Sequence, residues 1–441
     1  MMLVKSRYLK IVSCNGNNVL YHSLYGNPVK VDDNVMELIG NFSISRSPEF
    51  LEKYIKLDNN AFYALQELIS LGFIVLERRC DERNKWLNLV QNRYKKAGLF
   101  SSGLVLVITT ECNFSCDYCI AKTAFSNIES MSFSTAKRAI DTYIEYIKLY
   151  KFDLNEKIAI TFTGGEPLLE FNLIRHVCTY TTKKYNYLNF KFRLITNASL
   201  IDDNIAKYFS DNDFEIVVSL DDDTSGNVSR KYSDGTLAYD FIFSCLDILV
   251  KNNCSNISIS SVYNKFNYKL NGNFYKKLSS FGISNATLNI DNLSLLPTSP
   301  IKLAKYFLAL RSIAKENGID LTGQWATPAT NLRSKSTIWA LCSGAAHSRL
   351  YVLPDGSIPF CEYHPKYMGH LDNFDKLCDE ILASVNRHLV GCWAECEGCE
   401  IEGFCSPCPL EKEIIHNNNY QHQQEKCEFI KICTRILLLE D

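Results

Sequence analysis

Between residues 103 and 291 the apolar positions of this chain fall into two alternating rhythms. Short β-rich runs read as strands: GLVLVIT (103–109), KIAITFT (157–163), KFRLITN (191–197), FEIVVSL (214–220), NISISSVY (256–263) and NATLNID (285–291). Between them lie segments with apolar residues at helical spacing, such as STAKRAIDTYIEYIKLY and NLIRHVCTYTTKKY. Strands this apolar are buried on both faces, so the alternation implies an α/β fold with a parallel sheet covered by helices. Six such units make a partial or full barrel, whose chemistry belongs at the C-terminal ends of the strands. Every chemical motif found in this stretch sits at such an end.

The flanking regions follow other patterns. Residues 1–82 read as a small α+β module, with strand-like runs at RYLKIVSC, NVLYHSLY and NPVKV and helical stretches at DDNVMELIGNF and SPEFLEKYI. A third helix, NNAFYALQELISLG, has Asp58 and Asn59 available as caps and Gly72 as its stop, and the strand FIVLERR follows. That order is winged-helix-like. Glu67 lies on the presumptive recognition helix, which has no cluster of Lys or Arg, so a peptide added as a strand at the sheet edge suits the module better than DNA. A polar linker helix occupies 83–102, the barrel 103–335 and a loop-rich region 336–441, which closes on the helix EKCEFIKICTRILLL.

Composition narrows the function. The 441 residues carry 47 basic and 49 acidic side chains, a net charge of −2, so no broad positive field invites nucleic acid. No apolar run reaches the roughly 18 residues of a membrane span. Lys5, Arg7 and Lys10 interrupt what would be a signal-peptide core, and the expectation is a cytoplasmic protein. There are 18 cysteines. In a reducing compartment, clustered cysteines are metal ligands more often than disulfides. Cys112, Cys116 and Cys119 form one group, and ten cysteines fall in the last hundred residues. Cys14, Cys80, Cys178, Cys245 and Cys254 are scattered and read as small buried hydrophobes.

The first group follows the strand GLVLVIT in TECNFSCDYCIAK, giving Cys112-x3-Cys116-x2-Cys119. Three closely spaced thiolates can take three corners of a four-iron cluster and leave one iron open, or form an incomplete zinc site. At later strand ends stand TGGEP (163–167), ITNAS with Asn197, VVSLDDD with Ser219 and Asp221, and SSVYN around Val262. This ordered set resembles the radical S-adenosylmethionine (SAM) superfamily.

The resemblance implies roles for those residues. Cys112, Cys116 and Cys119 would hold a [4Fe-4S] cluster that binds SAM, with Tyr118 near the adenine. Gly164, Gly165 and Glu166 would face the SAM amino group. Asn197 corresponds to the family's Thr-Asn-Gly segment, and Ser219 and Asp221 to its Ser-x-Asp. Ser219 and Arg230 would contact the carboxylate or ribose, although SGNVS precedes Arg230 where the family has a His-Asp pair. Val262 would close over the adenine. The family's reduced cluster cleaves SAM to a 5′-deoxyadenosyl radical that takes hydrogen from unactivated carbon, while the protein supplies binding and orientation.

From Cys342 onward the cysteines resemble the SPASM extension of radical SAM enzymes that modify peptides. Gly356-x4-Cys361 and Cys396-x2-Cys399-x5-Cys405 match its spacing, and Cys405-x2-Cys408 is one residue short. The resemblance implies two auxiliary [4Fe-4S] clusters, one on Cys342, Cys361 and Cys408 and one on Cys396, Cys399, Cys405 and Cys427. The first lacks a fourth cysteine, which His347 or Cys392 could replace, or which an open iron could leave for substrate. Cys378, Cys392 and Cys433 read as packing residues, and His364 and His370 as loop histidines. Glu362, directly after Cys361, is either a base for a substrate proton or a solvated loop residue.

The order of regions is similar to that of radical SAM/SPASM maturases of ribosomally made peptides. The implied fold is a partial (β/α)6 TIM-like barrel between a PqqD-like winged-helix recognition domain and a cysteine-rich SPASM domain. The implied activity is hydrogen abstraction from a precursor peptide, held by its leader, to install a thioether, carbon–carbon or ether cross-link. An electron donor such as flavodoxin or ferredoxin is the implied partner. Peptide epimerisation, formylglycine formation and a non-enzymatic regulator built from a winged helix and zinc ribbons are the alternatives.

Overall fold

A computed structural model of the chain describes residues 2–47, 49–50, 52, 59–77, 81–125, 127–150, 157–222, 230–264, 272–291, 296, 298–334, 344, 347–363, 367–384, 394–405, 408 and 420–440. Asp58, Cys80, Cys342, His364, Cys392 and part of SPEFLEKYI lie outside them. The N-terminal strands are β1 (Leu3–Lys5), β2 (Leu9–Cys14), β3 (Asn17–His22), β4 (Gly26–Val31) and β5 (Ile74–Leu76). β2, β3 and β4 form an antiparallel sheet, and β1 pairs antiparallel with β5. Asp32 caps the helix Asp33–Asn41 by accepting from the Val35 N–H at 2.9 Å. Gly72, in the left-handed region at φ +79°, ends the helix Asn59–Ser70, and Phe73 N–H closes back on Leu68 O at 2.9 Å.

The remaining strands are β6 (Gly103–Thr109), β7 (Ile158–Gly164), β8 (Phe190–Thr196), β9 (Glu215–Ser219), β10 (Ile257–Tyr263), β11 (Asn285–Ile290), β12 (Asp320–Thr322), β13 (Arg349–Val352), β14 (Ser357–Pro359) and β15 (Tyr367–His370). β6 to β13 form one eight-stranded sheet in the order β12-β11-β10-β9-β8-β7-β6-β13, every pair parallel. All seven residues of β6 are buried, as a strand covered on both faces requires. Each fully buried Leu, Val or Ile there contributes roughly 1.5–3 kcal/mol.

The six expected strands appear within a residue or two of their expected ends. Two more were not expected. β12 extends one edge, and β13 returns from the loop-rich region to the other, setting Leu350 beside Leu104. β13, parallel to β6, thereby ends at the same edge of the sheet as Thr109, and the β14–β15 hairpin that bears Cys361 follows it.

The N-terminal sheet also packs on the later cysteines. Val12, Val19 and Tyr21 share an apolar cluster with Leu332, Phe404 and Leu438. Gly403 N–H donates to Ser23 O at 2.8 Å, Lys10 Nζ to Gly398 O at 3.0 Å, and Arg83 Nε to the buried Glu402 at 2.7 Å. Cys178, Cys245, Cys254, Cys378 and Cys433 are buried as expected, whereas Cys14, at the end of β2, is exposed. His370 ends β15 instead of lying in a loop, where its Nδ1 accepts from Asp372 N–H at 3.2 Å. Among the described residues, no helix is long and apolar enough to cross a membrane.

Candidate active site

β6 ends at Thr109, and the chain turns through Cys112, Cys116 and Cys119 directly above the sheet. What holds this loop begins with two glycines. Gly165 N–H donates to Thr109 O at 2.8 Å and Glu166 N–H to Glu111 O at 2.7 Å. A Cβ on Gly164 would stand 2.2 Å from Thr109 O, and one on Gly165 would stand 2.1 Å from Glu111 O. Only glycine permits this approach, so TGGEP works by backbone contact with the cysteine loop.

Glu166 turns inward from that contact and is fully buried. Its Oε1 accepts from Thr196 Oγ1 at 2.6 Å and Leu168 N–H at 3.0 Å, and its Oε2 from Asn197 N–H at 2.7 Å. The carboxylate thus ties the end of β7 to the end of β8. Burial pushes its carboxyl up from 4.5 to about 7 against those three donors. Asn197 continues the chain of bonds: its Nδ2 donates to Asn113 Oδ1 at 2.9 Å and lies 3.9 Å from Cys112 Sγ.

On the opposite side a segment that the sequence did not single out grips the loop. Phe114 forms an antiparallel bridge with Tyr232, their rings 4.7 Å apart. Ser115 N–H donates to Lys231 O at 2.8 Å, Ser233 N–H to Asn113 O at 3.2 Å, and Lys231 Nζ pairs with Asp117 at 3.1 Å. KYSDG reads as a polar turn, and nothing in its pattern marks a partner more than a hundred residues earlier.

Between the two grips lie Tyr118, Asp221 and Arg230. Asp221 has no exposed surface, and its Oδ2 accepts from the Tyr118 hydroxyl and lies 3.1 Å from Arg230 Nε. Its Oδ1 accepts from Val262 N–H at 2.8 Å. Arg230 also sits over the Tyr118 ring at 5.5 Å, and its Nη2 donates to Asp221 Oδ1 at 3.5 Å. Ser219 ends β9 opposite Ser260 of β10. The expected residues Tyr118, Gly164, Gly165, Glu166, Asn197, Ser219, Asp221, Arg230 and Val262 therefore share one end of the sheet with the three cysteines.

Burial pushes the Cys112 thiol up to about 12, and the neighbouring Glu166, Cys116 and Cys119 add to the rise. Burial also raises Cys116, while Arg230 works against it. Thiols crowded this way resist ionising together unless a cation joins them. Among the described residues no three His, Cys, Asp or Glu side chains form a ready single-ion site. The sulfur-only donor set and the close-fitting glycine floor fit an iron–sulfur group larger than one ion.

The second group arrives at the same end in part. The charge of Glu362 and burial raise the Tyr363 hydroxyl, and Cys119 of the first loop and Cys361 add to the rise. Burial pushes Glu362 up to about 7 against the pull of Arg349. Cys396 feels Cys399 and Cys427, the latter carried by the final helix, Tyr420–Glu440. Burial, followed by those neighbours, pushes Cys396 up to about 12. Cys405 and Cys408 are half-buried. His347 is buried against the Phe360 ring, 5.3 Å between centroids.

Comparison with known proteins gives a consistent set of likenesses. A model of the radical SAM superfamily matches residues 106–268. The chain is 25% identical to the radical SAM cyclopropyl synthase TigE of Paramaledivibacter caminithermalis, over 99% of this chain and 96% of that one. It is 30% identical to an uncharacterized protein of Methanocaldococcus jannaschii, over 48% of this chain and 74% of that one. Among solved structures, Streptococcus suis SuiB bound to its precursor peptide SuiA superposes with a TM-score of 0.52 at 15% identity, over 93% of this chain and 96% of that one. SuiB bound to S-adenosylmethionine gives the same score. At that identity the likeness is one of fold.

Proposed function

We propose that the chain, whose residues 106–268 match the radical SAM superfamily, acts on a ribosomally made precursor peptide, removing two hydrogens to close a new bond. What supports this reading is that Cys119 of the three-cysteine loop and Glu362 both act electrostatically on the Tyr363 hydroxyl. One place then serves both for taking a hydrogen and for taking a proton. A carbon–carbon bond is the favoured product, because a relative that spans nearly the whole chain is named a cyclopropyl synthase.

Cys112, Cys116 and Cys119 would hold the cluster that, with SAM, supplies the hydrogen-abstracting radical. The chain does the rest. The backbone of Gly164 and Gly165 shapes the floor, Arg230 offers a buried donor to a carboxylate or ribose, and Ser219 and Val262 line the strand ends above it. Glu362 accepts the proton lost from the substrate, a role suited to a carboxyl whose affinity for protons burial has raised to near neutrality, and the one electron left behind as the new bond closes would pass to an auxiliary iron–sulfur cluster.

Residues 1–82 would bind the peptide's leader as an added strand, with 83–102 as linker and 103–335 as barrel. Residues 336–441 would form a SPASM domain with auxiliary clusters on Cys342, Cys361 and Cys408 and on Cys396, Cys399, Cys405 and Cys427. The proximity of Cys396, Cys399 and Cys427 supports the second set. SuiB, solved with a precursor peptide, is similar in fold over nearly the same extent. A flavodoxin or ferredoxin would supply electrons in the cytoplasm.

The test is to incubate the reduced enzyme and SAM with the peptide encoded beside its gene. A product lighter by two hydrogens is expected, with the change confined to the peptide's core. An unchanged mass with one solvent deuterium incorporated would mean epimerisation instead.

A further inference from the structure

Asp221 stands where the family pattern places a cofactor contact, yet the protein already engages both of its oxygens. Oδ2 accepts from the Tyr118 hydroxyl and faces Arg230 Nε at 3.1 Å, and Oδ1 accepts from Val262 N–H at 2.8 Å. The side chain has no exposed surface from which to reach a ligand. Tyr118 lies between Cys116 and Cys119, Arg230 begins the segment that bridges Phe114, and Val262 is on β10. One carboxylate therefore joins the cysteine loop, its clamp and the sheet.

We propose that Asp221 is a positioning residue that fixes the cysteine loop and the Arg230 guanidinium for SAM through Tyr118, and that it does not itself touch SAM. The proposal rests on the radical SAM reading of the site. A buried carboxylate with two cationic or hydroxyl donors and one backbone donor makes strong, directional bonds in a low-dielectric setting. It holds the buried Arg230 guanidinium beside the loop and over the Tyr118 ring. Tyr118 contributes in two separable ways, by its ring and by its hydroxyl. Only the hydroxyl reaches Asp221.

That separation makes a double-mutant cycle decisive. Tyr118→Phe keeps the ring and removes the tie, and Asp221→Asn keeps the shape and removes the charge. SAM affinity is measured on the anaerobic, cluster-loaded protein by titration, and by the change SAM causes in the reduced cluster's electron paramagnetic resonance signal. Residues that act as one unit are non-additive, so each single variant should weaken SAM binding by about tenfold or more, and the double variant should be no weaker than Asp221→Asn within about twofold. Iron content should remain that of the wild type throughout. A direct cofactor contact would instead leave Tyr118→Phe at wild-type affinity, or make the two losses multiply, and either result overturns the proposal. Should Asp221→Asn not fold, Tyr118→Phe alone decides, since an unchanged affinity contradicts the tie. A wild-type protein that loads iron but neither binds SAM nor changes its signal would overturn the radical SAM reading itself, and the two failures are thereby distinct.

Discussion

Converting Cys112, Cys116 and Cys119 together to alanine is expected to lower the iron of anaerobically prepared protein by about four per chain and to abolish release of 5′-deoxyadenosine. The three thiols share one loop, are raised by burial and by one another, and have only sulfur as donor. Alanine is smaller by a single atom, and the loop remains held by Gly165 N–H, Ser115 N–H and the Phe114–Tyr232 bridge. Far-ultraviolet circular dichroism should therefore match the wild type, as should any iron carried by the later cysteines. Replacing the buried Cys178 and Cys245 by alanine serves as the control and should leave both iron and product unchanged. Iron and 5′-deoxyadenosine that survive the triple replacement would place the cluster elsewhere.

A single methyl group at Gly165 should do nearly as much damage. The Cβ of Gly165→Ala would lie 2.1 Å from Glu111 O, 2.5 Å from Glu111 C and 2.8 Å from Thr110 O, all backbone atoms that no rotamer change can move. Either the TGGEP turn or the residue before Cys112 must shift. Overpacking of this kind costs about 1–3 kcal/mol of stability. Displacement of a reacting centre by roughly 1 Å costs on the order of a hundredfold in rate, so SAM cleavage should fall at least that far while the protein remains folded. Gly40, on the helix Asp33–Asn41, has nothing within 4 Å of a built Cβ. Gly40→Ala should leave the rate unchanged, and its melting temperature should hold or rise. Equal rates for Gly165→Ala and Gly40→Ala would contradict the close-fitting floor.

Much of this arrangement was legible in the sequence, for physical reasons that also explain the gaps. A strand buried on both faces leaves a continuous apolar run, which is why GLVLVIT stands out, whereas β8, β9 and β10 alternate buried and half-buried positions and are legible by their period of two. β12, three residues long, and β13, four residues long, carry no periodic signal of their own. β13 also pairs with a strand nearly 250 residues earlier, which no local pattern reports. The glycines of TGGEP could be found as a motif, but not the reason for them, which is the distance to Thr109 and Glu111. The resemblance marked Arg230 and passed over Lys231, Tyr232 and Ser233, whose grip on the loop depends on a bridge across the fold. Asp221 shows the opposite case. Its position was readable, whereas its bonds to Tyr118 and Val262 were not, and those bonds give it a different proposed task.

The central claim is that the loop at the end of β6 works as a SAM-cleaving iron–sulfur site. It is tested most directly by reducing the wild-type protein anaerobically with SAM, measuring 5′-deoxyadenosine, and counting iron and zinc in the same sample. Brown protein with roughly eight to twelve irons per chain and release of 5′-deoxyadenosine is the expected result. Colourless protein containing zinc, with no iron and no 5′-deoxyadenosine, would contradict it.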